Sequence, residues 1–199
     1  MTAREPLMEV LEELEVPRVA RHKLTAEEYY RMAEVGVLAH DARIELIEGE
    51  VIDMAPTGTR HYAAVMRLDH LIKHAVGSSA LVAVQSPLRL GKHSEPEPDV
   101  VVLKPRDDFY ASALPTGPDT LLVIEVSDTT LAYDVRIKAP LYARHGVPEL
   151  WILDLSGKAL RCLRNPVGDT WTEISILSQP GTLALPGLPG ITLNLEGLL

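Results

Sequence analysis

The sequence predicts an α/β chain of the α+β kind, with a central mixed sheet flanked by helices. Three observations carry that reading. Two apolar runs, Glu97-Pro98-Asp99-Val100-Val101-Val102-Leu103 and Leu121-Leu122-Val123-Ile124-Glu125-Val126-Ser127, have the continuous character of strands buried on both faces. Leu150–Leu155 is a third run of the same kind. Helical periodicity is interspersed with these strands rather than segregated from them, which points to layers packed around one sheet. A length of 199 residues suffices for one well-buried domain. The expected organisation is an N-terminal helical extension over 1–22, then a single domain over 23–199.

Taken in order, Leu7, Val10, Leu11 and Leu14 fall at helical spacing, so 5–15 reads as a short amphipathic helix ended by Pro17. Thr25-Ala26-Glu27-Glu28 is a capping-box signature for a helix that runs to about Val35 and stops at Gly36. Arg43–Leu46 and Val51–Met54 flank Ile47-Glu48-Gly49-Glu50, a tight hairpin. Residues 60–76 form the longest helix, with Val65, Leu68, Ile72, Ala75 and Val76 on one face and Gly77 as its stop. Leu81–Val84 and Leu88–Leu90 read as short strands separated by Pro87, and 105–118 as a long polar connection. Residues 134–145 look helical despite Pro140. Alternating strands follow at roughly 159–164 and 171–177. The Pro/Gly-punctuated tail from Gln179 is expected along the surface or the sheet edge.

Composition narrows the function. The hydrophobic share of 46% with 24% charged residues is that of a globular protein, and 5% aromatics makes the core aliphatic. The single cysteine, Cys162, excludes an intramolecular disulfide and a cysteine zinc cluster, and it fits a reducing, cytoplasmic setting. No run reaches transmembrane length, so no membrane partner is expected. A net charge of −9 argues against a general nucleic-acid coat protein but is compatible with a nuclease, whose catalytic carboxylates are themselves acidic. The seven histidines show no His-Glu-x-x-His spacing, and no Gly-x-Ser-x-Gly elbow occurs.

The chemistry resides in the two acids inside the apolar runs. A buried ionised carboxylate costs several kcal/mol unless a cation, a metal or hydrogen bonds compensate it. If the two strands are neighbours, Asp99 and Glu125 can converge, and two carboxylates plus waters and substrate phosphate oxygens are what Mg²⁺ or Mn²⁺ prefers. Their bland alternatives are a turn residue after proline and a salt-bridge partner. Lys138 follows at short range; Asp134, Lys138 and Tyr142 are spaced to share a helix side. By itself Lys138 reads as a solvated helical lysine paired with Asp134. His61 opens the long helix, either as a core-edge histidine or as a phosphate contact at a helix N-terminus. Arg67, His70 and His74 share another face, solvated by default or a stripe along a DNA backbone. Glu48 and Glu50 read as turn and edge charges.

Pro98-Asp99 followed by Glu125-Val126-Ser127 resembles the PD-(D/E)XK nuclease superfamily. The ordered set Ile44-Glu45-Leu46-Ile47-Glu48-Gly49-Glu50, Glu125-Val126-Ser127, Tyr133-Asp134, Lys138, Tyr142-Ala143 and Gly146-Val147-Pro148-Glu149-Leu150-Trp151 more closely resembles the bacterial Uma-two family of restriction-endonuclease-like proteins, over about 24–195. The resemblance implies a core of helix, three-stranded meander, helix and further strand, with a divalent metal at the sheet's centre. It implies a metal-dependent endonuclease acting on nucleic acid, expected to be DNA, with a homodimer suited to double-strand cleavage. Asp99 and Glu125 would hold the metal, and Glu45 would lie at its acidic edge. The sequence departs from the superfamily at Ser127, where the motif has lysine; Lys138 would supply the charge from the next helix. Ser127, Asp134, Tyr142 and His61 are the supporting candidates. The competing expectation is a non-catalytic DNA- or protein-binding module that keeps the fold.

Overall fold

The computed structural model describes residues 20–39 and 41–198. The helix expected at 5–15, and with it most of the extension assigned to 1–22, lies outside the described residues. Helix α1 (Ala26–Glu34) opens on the capping box: Thr25 Oγ1 accepts from the Glu28 amide at 3.1 Å, and Glu28 Oε2 accepts from the Thr25 amide at 2.8 Å. Strands β1 (Ile44–Ile47) and β2 (Glu50–Asp53) form the hairpin, and its two-residue turn, Glu48 and Gly49, has positive φ at both positions. Helix α2 (Thr59–Val76) buries Val65, Leu68, Ile72 and Val76 and ends at Gly77.

A six-stranded mixed sheet forms the centre, in the order β3-β4-β5-β6-β7-β8. Strands β3 (Leu81–Val84), β4 (Val100–Leu103) and β5 (Thr120–Ser127) are an antiparallel meander. Strand β6 (Glu149–Asp154) pairs parallel to β5, and β7 (Ala159–Val167) and β8 (Thr170–Leu177) continue antiparallel. The parallel step requires a crossover, as a tight hairpin cannot make it. Three consecutive helical pieces supply it: α3 (Leu131–Tyr133), a π turn over Asp134–Lys138, and α4 (Ala139–Arg144). Pro140 removes an amide and crowds the carbonyl four residues back, so a widened turn just ahead of it is where the helix can absorb it.

Both faces of the sheet are covered. On one, Val100, Val102, Leu122, Ile124 and Val126 pack against α2. On the other, Val101, Leu103, Val123, Leu150 and Ile152 meet Leu141, Tyr142 and Val147 from the crossover. That double coverage is why these strands read as unbroken apolar runs.

Three expectations need correction. Leu88–Leu90 is not a strand. Its amides bond the Pro96 and Ser94 carbonyls at 2.9 Å, closing a compact loop, and its leucines are buried because the loop sits on the core. The first acidic run enters the sheet only at Val100, leaving Asp99 just before β4. The tail does not merely skirt the surface. It forms a small antiparallel pair, β9 (Thr182–Ala184) with β10 (Thr192–Asn194), and sends Leu185, Leu193, Leu195 and Leu198 into the core beside α2.

Gly117, at the turn feeding β5, has backbone so close to His145 that an added Cβ would run into the His145 carbonyl. Gly117→Ala therefore should lower unfolding free energy by about 1–3 kcal/mol through overpacking, read from urea denaturation; an unchanged midpoint would show that the turn and the end of α4 separate freely.

Candidate active site

The C-terminal end of β5 meets the start of β4, the β1–β2 hairpin and the crossover around one cavity of about 390 Å³. Its lining includes Arg43, Glu45, His61, Glu97, Asp99, Glu125, Tyr133, Asp134 and Lys138. The hairpin is docked by a backbone exchange between Leu46 and Glu95, where the Glu95 amide donates to the Leu46 carbonyl at 2.7 Å and the reverse bond is 3.4 Å. The Glu95 carboxylate, bonded by Tyr30 and Arg89, fixes that loop from behind. Glu45, adjacent to Leu46, is thereby buried at the cavity wall rather than exposed on a hairpin edge.

Glu45, Glu125, Lys138 and Tyr142 form one group. The Lys138 ammonium lies 3.0 Å from Glu45 Oε2 and 3.2 Å from Glu125 Oε1, and Tyr142 donates to the same Glu125 oxygen at 2.5 Å. All four residues are buried. Lys138 is therefore no solvated lysine, and it does not pair with Asp134. That carboxylate instead accepts from Ser127 Oγ and Thr130 Oγ1, both at 2.7 Å. The π turn carries Asp134 and Lys138 inward together, and one widened turn at a functional cavity is a recurrent device.

Asp99 occupies the facing wall. The β4–β5 register pairs Val100 with Ile124, and one further step sets Asp99 opposite Glu125. Asp99 Oδ2 accepts from the Val126 amide at 2.9 Å and lies 3.0 Å from His61 Nε2; Oδ1 receives only a 3.3 Å contact from the Gln85 amide group. His61, on the first turn of α2, thus reaches the cavity, and its buried Nδ1 has no partner. Of the candidate site residues, Glu45, His61, Asp99, Glu125, Asp134 and Lys138 line the cavity, while Ser127 and Tyr142 stand behind its wall. Glu48 and Glu50 are surface hairpin charges paired with Arg144 at 2.6 Å and Lys23 at 3.0 Å. Arg67 donates to the Gly197 carbonyl at 3.1 Å, so that face of α2 is partly taken by the chain's own tail.

Burial raises the Glu125 carboxyl to about 8, against the opposing pull of Lys138. Burial alone would lower Lys138, but Glu125, Glu45 and Asp134 outweigh it and hold the ammonium above the ordinary lysine range. Burial, then Glu45, also raises Glu97, and burial lifts the Tyr133 hydroxyl to about 12, where it has no hydrogen-bond partner. Glu97, Tyr133 and Arg43 also line the cavity, beyond the candidates that the sequence singles out. Glu97 and Tyr133 directly precede Pro98-Asp99 and Asp134, and that adjacency was the available signal.

The donors fit a hard divalent cation. Glu125 Oε1 takes both Lys138 and Tyr142 while Oε2 takes neither, and Asp99 keeps Oδ1 lightly engaged. Among the described residues no set of three or more His, Cys, Asp or Glu side chains is arranged to cage a metal. Mg²⁺ asks for no such cage, since it keeps several waters and uses one or two carboxylates with substrate phosphate.

The sequence matches the family described as "Putative restriction endonuclease" (Uma2) over residues 26–196. The chain belongs to the Uma2 family. Among solved structures it is similar to a crystal structure titled as a putative nuclease belonging to DUF820 from Anabaena variabilis, with a TM-score of 0.64 and 18% identity over 82% of this chain and 89% of that one. At that identity the likeness shows the fold. No curated protein matches. No helix among the described residues is long and apolar enough to cross a membrane. Every residue lining the cavity lies within the span matched to the Uma2 family.

His61 is raised above the ordinary imidazole value by its hydrogen bond to Asp99, which outweighs its burial. The pair's contribution to stability is thus complete below the ordinary histidine value of about 6.5 and fades as pH rises through the raised one. Asp99→Asn should return the His61 titration, followed by NMR of the ring protons, to about 6.5 or below. A titration still raised in that variant would remove Asp99 as the cause.

Proposed function

We propose that this chain is a divalent-metal-dependent phosphodiesterase of PD-(D/E)XK type, and specifically an endodeoxyribonuclease. The observation that carries the reading is the buried Lys138 ammonium held between Glu45 and Glu125 on the cavity shared with Asp99. Asp99 and Glu125 would hold Mg²⁺ or Mn²⁺, which when bound polarises a phosphate and lowers the pKa of a coordinated water. No zinc is needed, because the donors are all oxygens.

The chain's own residues do the remainder. Val126 N–H and His61 fix one oxygen of Asp99, so its other oxygen faces the ligand in a set orientation. Tyr142 fixes Glu125 in the same way from behind the wall. Lys138 stabilises the negative charge that develops on a phosphoryl group, the task Ser127 cannot perform. Glu45 keeps Lys138 in place when Glu125 is engaged elsewhere. Ser127 and Thr130 hold Asp134, whose charge supports Lys138 at longer range. Cleavage of both strands of a duplex would suit a homodimer, in the reducing cytoplasmic setting that one buried cysteine permits.

One observation favours the alternative, a DNA- or protein-binding module without catalysis: Lys138 is already spent on two carboxylates. Cleavage of plasmid DNA separates the two readings. The expected outcome is nicking or linearisation with Mg²⁺ or Mn²⁺, none with EDTA, and at least a hundred-fold loss in Lys138→Met. Lys138→Arg, which keeps the charge, controls for the roughly 3–5 kcal/mol that stripping a buried ion pair removes from stability. A parent protein that cleaves no DNA with any divalent ion leaves the binding-module reading standing.

A further inference from the structure

The cavity is overwhelmingly acidic. Glu45, Asp53, Glu97, Asp99, Glu125 and Asp128 all line it, and a polyanionic strand approaching such a mouth is repelled before any metal contact forms. Among the described residues lining it, the cations that keep their charge at every physiological pH are Lys138 and Arg43. Lys138 is buried and bound between two carboxylates. Arg43 differs on every count. It stands just before β1, is exposed, and forms no ion pair with any described residue despite the surrounding acids. Its one side-chain hydrogen bond among the described residues runs from Nη1 to the Ala55 carbonyl at 3.2 Å, which anchors the side chain across the loop at the cavity mouth and leaves the rest of the guanidinium unspent. Its charge is felt inside, where it opposes the rise of both Glu97 and His61.

We infer that Arg43 is the phosphate-binding residue of this site, contacting a backbone phosphate of a nucleic-acid strand next to the one held at Asp99 and Glu125. A guanidinium suits the role because its planar fork meets two phosphate oxygens at once, and because it is always charged. The inference rests on the nuclease reading and adds to it the point where the strand is gripped. Arg43 acts on binding, not on bond breaking, so its removal weakens the hold on substrate and leaves the chemical step alone.

The test is fluorescence anisotropy of labelled DNA and RNA oligonucleotides at a series of NaCl concentrations, with Ca²⁺ as the hard cation, paired with steady-state cleavage in Mg²⁺ and Mn²⁺ titration calorimetry. Arg43→Gln should raise Kd and KM about ten-fold and reduce the salt slope of log Kd by about one, with kcat and Mn²⁺ affinity unchanged. Arg43→Lys should restore the salt slope but only part of the affinity, since an ammonium is a point charge without the fork. Parent and Arg43→Gln binding alike, with the same salt slope, would overturn the Arg43 assignment while leaving the nuclease reading intact. A loss in kcat or in Mn²⁺ affinity would equally overturn it, because it would place Arg43 in the metal centre or in the fold. A parent that binds and cleaves neither nucleic acid would overturn both readings together. The better-bound oligonucleotide identifies the sugar class of the strand.

Discussion

The buried contact of Lys138 with Glu45 and Glu125 is the constraint on which the other features depend. The hairpin strand β1, remote in sequence, meets there the central strand β5 and the crossover that follows it. Two carboxylates and an ammonium withdrawn from water are tolerated only while they stay together, and losing one partner leaves uncompensated charge in a low-dielectric interior. The docking of the hairpin through Leu46 and Glu95, the hydroxyl of Tyr142 and the π turn before Pro140 all hold these groups in register. A sheet covered on both faces provides the dry surroundings that make the arrangement so sensitive to charge.

The same contact bears on the proposed divalent-cation site. Burial raises the Glu125 carboxyl, and Lys138 opposes that rise. Asp99, steadied by His61 and the Val126 amide, presents a further oxygen across the cavity. A hard ion and a substrate phosphate would complete this arrangement of charges. Among the described residues, two of the four buried side-chain atoms without a hydrogen-bond partner, His61 Nδ1 and the Tyr133 hydroxyl, belong to residues that line the same cavity.

Much of the fold was legible because its elements carry local signals. The capping box at Thr25, the Glu48-Gly49 turn, the apolar stripe of α2 and the unbroken runs of β4, β5 and β6 each follow from side-chain period or turn chemistry. Leu88–Leu90 was misread because buried leucines look alike in a strand and in a loop laid on the core; only the bonds to Pro96 and Ser94 tell them apart. The tail was misread because Leu185, Leu193, Leu195 and Leu198 reach the core from short irregular segments with no shared period. In the site, Asp99 and Glu125 were visible as acids among apolar neighbours, whereas Glu45 entered through the family resemblance. Lys138 was expected beside Glu125 only through the family resemblance; taken alone it reads as a solvated helical charge, since its pairing with Glu45 from a distant strand leaves no local trace. Arg43 was hidden for a related reason: an arginine beside a hairpin looks like any edge charge until the acids around it are known.

The central claim is that Glu125 and Asp99 form a divalent-cation site for which the Lys138 ammonium is the resident competitor. Titration calorimetry of Mn²⁺ into the parent, Glu125→Gln and Lys138→Met proteins tests it most directly. Saturable binding by the parent, none by Glu125→Gln, and tighter binding by Lys138→Met, where the competing cation is gone, is the predicted outcome. Equal Mn²⁺ binding by the parent and Glu125→Gln, or no binding by the parent at saturating Mn²⁺, would contradict it.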